Sequence, residues 1–158
     1  MALFKMGEFI NMAVKDEETG LAFYRSMAET TGNSKLKESF SKIADQENVH
    51  AERYRKMQGD VGDNFPREEY PGQYDNFLNA LLSTRAFPEP EAAAREAKNL
   101  KTDLEAIDLA LTLEKDTLLL YYDMQSFIPE THKNIVDDII EEEKGHIEEL
   151  AKLREGCK

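Results

Sequence analysis

The sequence predicts an all-α protein, a four-helix bundle with one long crossover between its second and third helices. Three observations predict it. Four segments carry apolar residues at alternating steps of three and four, the period of a helix that buries one face. Each of the four stripes is interrupted by a glutamate: Glu17, Glu47, Glu114 and Glu143. Two of the stripes add a histidine three residues later, His50 and His146, where the two side chains lie on adjoining turns of one face and can converge on a point.

The composition fits this class. A chain of 158 residues, 41% hydrophobic and one third charged, suits one domain with a sizeable core, here taken as residues 1–158. No apolar run approaches the ~20 residues that a bilayer needs. The N-terminal stretch MALFKMGEF lacks the basic segment and long apolar run of a secretion signal, so a cytoplasmic location is expected. A net charge of -12 argues against nucleic acid and anionic membrane as partners, since both are polyanions, and makes cations the natural guests. The single cysteine, Cys157, can form neither an internal disulfide nor a CxxC metal knuckle and reads as an incidental exposed thiol.

The first helix is expected over residues 7–31, with inward residues Ile10, Ala13, Glu17, Leu21 (Gly20 beside it), Tyr24, Met27 and Thr31. Gly32-Asn33 behind it favours a left-handed C-terminal turn. Ser34 then stands as N-cap of a second helix to about residue 57, stopped by Gly59. Its inward row is Leu36, Phe40, Ile43, Glu47, His50, Tyr54 and Met57, and the two helices should pair as an antiparallel hairpin. From residue 60 to residue 101 the periodicity breaks, and short helices near 74–84 and 89–99 are expected in place of a structureless loop. Thr102-Asp103-Leu104-Glu105 is a capping box. It opens a third long helix ending near 128–129, with inward residues Leu104, Ile107, Leu111, Glu114, Leu118, Tyr121, Gln125 and Ile128. The fourth, over about 130–155, turns Ile135 or Val136, Ile139, Glu143, His146, Leu150 and Leu153 inward.

The halves align as an internal repeat. Glu17 and Tyr24 precede Glu47 and His50 as Glu114 and Tyr121 precede Glu143 and His146, with a glutamate-to-glutamate spacing of 30 in the first half and 29 in the second. At 1.5 Å per residue, Glu17 and Glu47 lie about 23 Å and about 21 Å from the turn between them, so they meet at one level. All six side chains can share one layer. Four carboxylates in a water-poor core are prohibitively costly unless protonated or matched by positive charge, and no Lys or Arg lies in these inward rows. Two divalent cations would match them. A Glu from each of two helices plus a Glu-x-x-His from each of the other two is the ligand set of di-iron and di-manganese bundles.

Further residues follow from register. Tyr24 and Tyr121, two turns beyond Glu17 and Glu114, are positioned to hydrogen-bond a ligand carboxylate across the bundle. Tyr54 and Tyr122 read as packing residues and His132 as exposed. Glu18 and Glu142 point about 100° away from the ligand face and read as surface charges.

At these residues the sequence resembles the ferritin-like superfamily, and within it the rubrerythrin-like proteins, over nearly the whole chain. The matching segments are Glu17-x-x-Gly20-x-x-Phe23-Tyr24, Asp45-Gln46-Glu47-x-x-His50-Ala51, Leu113-Glu114-Lys115-Asp116 before Tyr121, and Glu142-Glu143-x-x-His146. The resemblance implies a ferritin-like bundle and a site of two iron ions, with each Glu-x-x-His serving one metal and two glutamates bridging. It also implies a homodimer. Two departures stand out: these residues hold no rubredoxin module with paired CxxC motifs, and Thr117 stands where rubrerythrins carry an extra carboxylate.

The expected function is a redox enzyme that reduces peroxide or dioxygen and is re-reduced by an external donor such as a rubredoxin-like protein. The alternatives are a manganese catalase-like enzyme, a non-catalytic iron-binding or storage protein, and a structural or sensory metal site. Oxygen-rich sites with imidazole accept iron and manganese alike.

Overall fold

Hydrophobic periodicity of 3.6 commits these segments to helices, and every regular element among the described residues is helical. The structure, a computed structural model, describes residues 6–61, 73–87 and 89–157. Four long helices make the bundle: α1 (Met6–Thr30), α2 (Ser34–Gln58), α5 (Asp103–Gln125) and α6 (Lys133–Gly156), the last preceded by a 3-10 turn, Glu130–His132. Two short ones, α3 (Gln73–Ser83) and α4 (Pro90–Asn99), lie in the expected crossover, of which residues 62–72 fall outside the described set.

Local chemistry sets the ends. Asn33, not Ser34, caps α2: its side-chain oxygen accepts from the backbone N–H of Lys35 and Leu36, leaving Ser34 as the first helical residue. The expected left-handed turn is absent, for Asn33 is extended at φ -93° and Gly32 has no positive φ. The capping box forms as read, with Thr102 Oγ1 accepting from Glu105 N–H and Glu105 Oε2 accepting from Thr102 N–H. Helix α5 ends at Gln125, short of the expected 128–129.

Cross-helix contacts give the topology. Thr31 bonds Asp103 on α5 at 3.1 Å and Tyr121 reaches back to Ala13, so α1 and α5 run antiparallel. Arg53 meets Glu142 and Lys42 meets Glu149, so α2 and α6 are antiparallel too. Gln58 bonds Asn11 across the α1/α2 hairpin. Helices α2 and α5 are therefore parallel, and the chain must return along the bundle between them, as in bundles with one long crossover. Helix α4 makes that return along α1, starting where Lys15 pairs with Glu89 at 2.5 Å and burying Ala93 and Ala97.

The buried face of α5 is rotated from the expected row. Leu111 and Leu118 are half-buried while Ala110, Leu113, Thr117 and Leu120 go inside, because Ala106, Ala110 and Leu113 pack in one cluster with Phe87, Ala93 and Ala97 of the crossover. On α1 the inward position is Gly20, with Leu21 half-buried. Val136 is the buried member of the Ile135/Val136 pair. Tyr122, expected to pack, is 45% exposed, its ring facing Lys144. His132 is half-buried at the start of α6, and Cys157 is half-buried against the core.

The apolar interior is split in two. One cluster gathers Phe23, Met27, Phe40, Ile43, Ile107 and Leu150; the other gathers Phe9, Ile10, Met57, Leu120, Met124 and Ile139. Between them lies a layer of buried charged side chains. At the edge of this layer the crossover is clamped to the bundle: Arg85 pairs with Asp16, and Ala86 N–H donates to Asp116 on α5 at 3.1 Å. Both members of the ion pair are shielded, at 12% and 3% side-chain exposure. Breaking a buried pair from one side strands the other charge. Arg85→Met is expected to cost about 3–5 kcal/mol in urea unfolding, and adding Asp16→Asn should recover much of it; a single variant within ~0.5 kcal/mol of wild type would contradict the clamp.

Candidate metal centre

Each long helix brings one glutamate to the layer because that glutamate occupies an apolar position in its stripe. Glu17, Glu47, Glu114 and Glu143 are all buried, as are His50 and His146. All six sequence-derived ligand candidates are thus brought together. Their donor atoms fall into two groups, Glu17, Glu47, His50 and Glu143, and Glu47, Glu114, Glu143 and His146, with the atoms of each group within 4.8 Å of one another. Glu47 and Glu143 belong to both groups.

The atoms aim at shared points more than at each other. His50 Nδ1 lies 2.8 Å from Glu143 Oε1 and 3.3 Å from Glu17 Oε2, yet none of the three makes a hydrogen bond. Glu47 Oε1, 3.2 Å from His146 Nδ1, is likewise buried without one. Orphaned buried polar atoms of this kind are rare in folded proteins. Carboxylate oxygens and imidazole nitrogens around one point are the donor set for iron, manganese or zinc, so the residues fit a pair of divalent metals.

Two tyrosines brace the layer from the opposite half of the chain. Tyr24 on α1 donates to Glu114 Oε1 on α5, and Tyr121 on α5 donates to Glu17 Oε1 on α1. Burial, and then the neighbouring glutamate charge, holds each hydroxyl well above the usual phenol range, so both remain donors. Tyr54 packs its ring 5.3 Å from that of Tyr121.

Without metal the charges are balanced by protons. Burial, then the charge of Glu143, pushes the Glu114 carboxyl up to about 8 and raises Glu17. Glu47 is raised by burial and by Glu143, Glu17 and Glu114. Glu143 goes the other way, since His146 and His50 outweigh the cost of its burial and hold it well below the usual carboxylate range. Burial disfavours the His50 imidazolium, but Glu143 and Glu17 outweigh it and push His50 up to about 11; Glu114, Glu143 and Glu47 raise His146 in the same way.

Three neighbours escaped the sequence reading. Glu142, read as a surface charge, accepts at 2.9 Å from His50 Nε2 and at 2.8 Å from Arg53. Glu18 does sit on the surface, with Arg55. Gly20 leaves the space that Glu47 fills: a Cβ there would overlap Glu47 Oε2 and lie 3.0 Å from Cδ. A glycine inside an apolar stripe is the one sequence signal that pointed to such a close approach. Arg85, at the layer's edge, had no sequence signal.

With this geometry in view, the relatives are informative. The Rubrerythrin family profile matches residues 8–154. The chain belongs to the rubrerythrin family. Two solved structures are similar to this chain in fold. A Thermotoga maritima protein, provisionally assigned as a ferritin-like diiron-carboxylate protein, is 26% identical, with a TM-score of 0.72 over 98% of this chain and 97% of that one. A hypothetical protein of Pyrococcus furiosus is 25% identical, with a TM-score of 0.70 over 98% and 91%. No curated protein matches the chain significantly. No helix among the described residues is long and apolar enough to cross a membrane.

Gly20→Ala is expected to lower the metal content per chain with helicity unchanged. On an ordinary helix the change gains roughly 1 kcal/mol, but here the methyl group displaces the Glu47 carboxylate. Unaltered metal content by elemental analysis would contradict this.

A pH dependence also follows. Glu17, Glu47, Glu114, His50 and His146 hold protons more tightly folded than unfolded, so metal-free folding takes up protons and stability declines as pH rises from the unfolded glutamate value of 4.5 toward about 11. The Tm of metal-free protein should fall between about pH 6 and about pH 9, and divalent metal, which replaces those protons, should abolish the fall. Calorimetry of both forms decides it; a flat metal-free profile would be the contrary result.

Proposed function

We propose that this rubrerythrin-family protein is a di-iron redox enzyme that reduces hydrogen peroxide or dioxygen, with electrons returned by an external donor such as a rubredoxin-like protein. The observation that carries the reading is the sharing of Glu47 and Glu143 between two adjacent donor groups, which supports a pair of coupled metal positions over two separate sites. Glu17 with His50 and Glu114 with His146 would complete the two positions. When bound, two ferrous ions supply one electron each, so one peroxide takes two electrons and two protons and leaves as two waters.

The chain's own residues prepare the site. The two apolar clusters above and below the layer exclude water and strengthen every electrostatic interaction within it. Tyr24 and Tyr121 each bond one oxygen of Glu114 and of Glu17, which fixes the plane of each carboxylate, and on Glu17 the other oxygen, Oε2, faces His50 without a hydrogen bond. On this reading electrons reach the site from a separate donor, and the single Cys157 offers no CxxC pair within these residues. A cytoplasmic location, expected from the sequence, and a homodimer, supported by the resemblance on which it was expected, belong to the same proposal.

Hydrogen peroxide added to the anaerobic ferrous protein is expected to oxidise about two irons per molecule, without gas, and turnover should require an added donor. Tyr24→Phe should keep the metal count and change the rate alone. Donor-independent oxygen release from a manganese-loaded protein would replace this reading with a catalase, and a ferrous protein inert to peroxide and dioxygen would overturn it.

A further inference from the structure

The two metal positions look equivalent in sequence but differ around their histidines. An offset of 96 residues relates the two motifs, carrying Gln46, Glu47, His50 and Arg53 onto Glu142, Glu143, His146 and Glu149. Helices α2 and α6 run antiparallel, so this correspondence is also a local two-fold relation in space. The His50–Glu142 contact therefore has a counterpart, His146 facing position 46. On one side the device is complete: His50 Nε2 is 2.9 Å from Glu142 Oε2, and Glu142 Oε1 accepts from Arg53 Nη1 at 2.8 Å. On the other it is missing. His146 Nε2 is buried with no hydrogen-bond partner among the described residues, Gln46 is half-buried and makes no bond to it, and Glu149 stands in the place of Arg53.

We infer that Glu142, held by Arg53, is a positioning residue that makes the two metal positions unequal, so that the Glu17/His50 position fills first and holds its metal more tightly than the Glu114/His146 position. The inference rests on the di-metal reading and adds an order of loading to it. The physical reason lies in the imidazole. A carboxylate that accepts the Nε2 proton of His50 fixes the tautomer whose lone pair is on Nδ1, the atom that faces Glu17 and Glu143, and makes that lone pair more basic. His146 presents Nδ1 to Glu143 at 2.8 Å and to Glu47 at 3.2 Å, but no partner among the described residues bonds its Nε2. Loss of such outer partners typically lowers metal affinity about 10- to 100-fold.

The experiment is an anaerobic titration of the whole metal-free chain with Co(II), followed by absorption with a competing chelator. Zn(II) and nitrogen-15 histidine NMR then identify which ring each equivalent reaches. Wild type should bind in two steps about 10- to 100-fold apart, with the first equivalent of Zn(II) on His50 Nδ1. Glu142→Gln should weaken the first step alone and bring the two together. The double variant Gln46→Glu with Glu149→Arg transplants the device and should tighten the second step, a gain that misfolding cannot mimic. Two equal steps in wild type, first loading at His146, or an unmoved first step in Glu142→Gln would each overturn the inference while leaving the di-metal reading in place. A wild-type chain that binds no metal would overturn both.

Discussion

Four glutamates and two histidines packed into one water-poor layer set the terms for the rest of the fold. Isolated carboxylates cannot stay charged in such surroundings, so each must be protonated, bonded or matched by a cation, and the chain is built around that requirement. The layer separates two apolar clusters, which means that helix packing above and below it decides whether the six side chains converge. A backbone shift that relaxes either cluster also moves the donors. Stability and metal binding are thus properties of one arrangement, coupled through packing and through the protons that leave when metal enters.

The halves of the chain complete one another. Each contributes one glutamate and one Glu-x-x-His, but the tyrosine that steadies the glutamate of α1 sits on α5, and the tyrosine that steadies the glutamate of α5 sits on α1. Neither hairpin alone can orient its own ligands. The crossover joins this scheme from outside: Arg85 and Ala86 tie it to α1 and α5 beside the layer, and α4 covers α1 on the way to the far end. The connection that makes α2 and α5 parallel is therefore also part of the site's wall.

The repeat is approximate where it matters for chemistry. Positions that carry the ligands themselves are matched in the two halves, whereas the residues behind the histidines are not, with Glu142 and Arg53 on one side and Gln46 and Glu149 on the other. Local two-fold symmetry gives two adjoining metal positions, and its breakdown one turn out gives each histidine its own surroundings. Thr117, buried at 5% exposure one turn beyond Glu114, offers a hydroxyl where a further carboxylate would add negative charge.

Periodicity determined the four long helices, because a buried stripe has to recur every three or four residues, while the length of the 42-residue connection pointed to short helices within it and to the parallel course of α2 and α5. The capping box at Thr102 and Glu105 was equally legible, as a contact made within four residues of chain. So was the assembly of the six buried donors, since helical rise and turn position fix the height of each glutamate. What lies between helices was decided only by tertiary structure. Which glutamates are shared by the two donor groups, why Gly20 must be small and how Arg85 meets Asp16 all depend on interhelical register and on which oxygen of a carboxylate faces the centre. Glu142 is the clearest case: one residue off the ligand stripe it reads as solvent-exposed, and only the packing of α6 against α2 brings it to His50. A single helix specifies its own faces, but the neighbour met by a side chain at the edge of a face is set by the angle and register of packing, which no local pattern encodes.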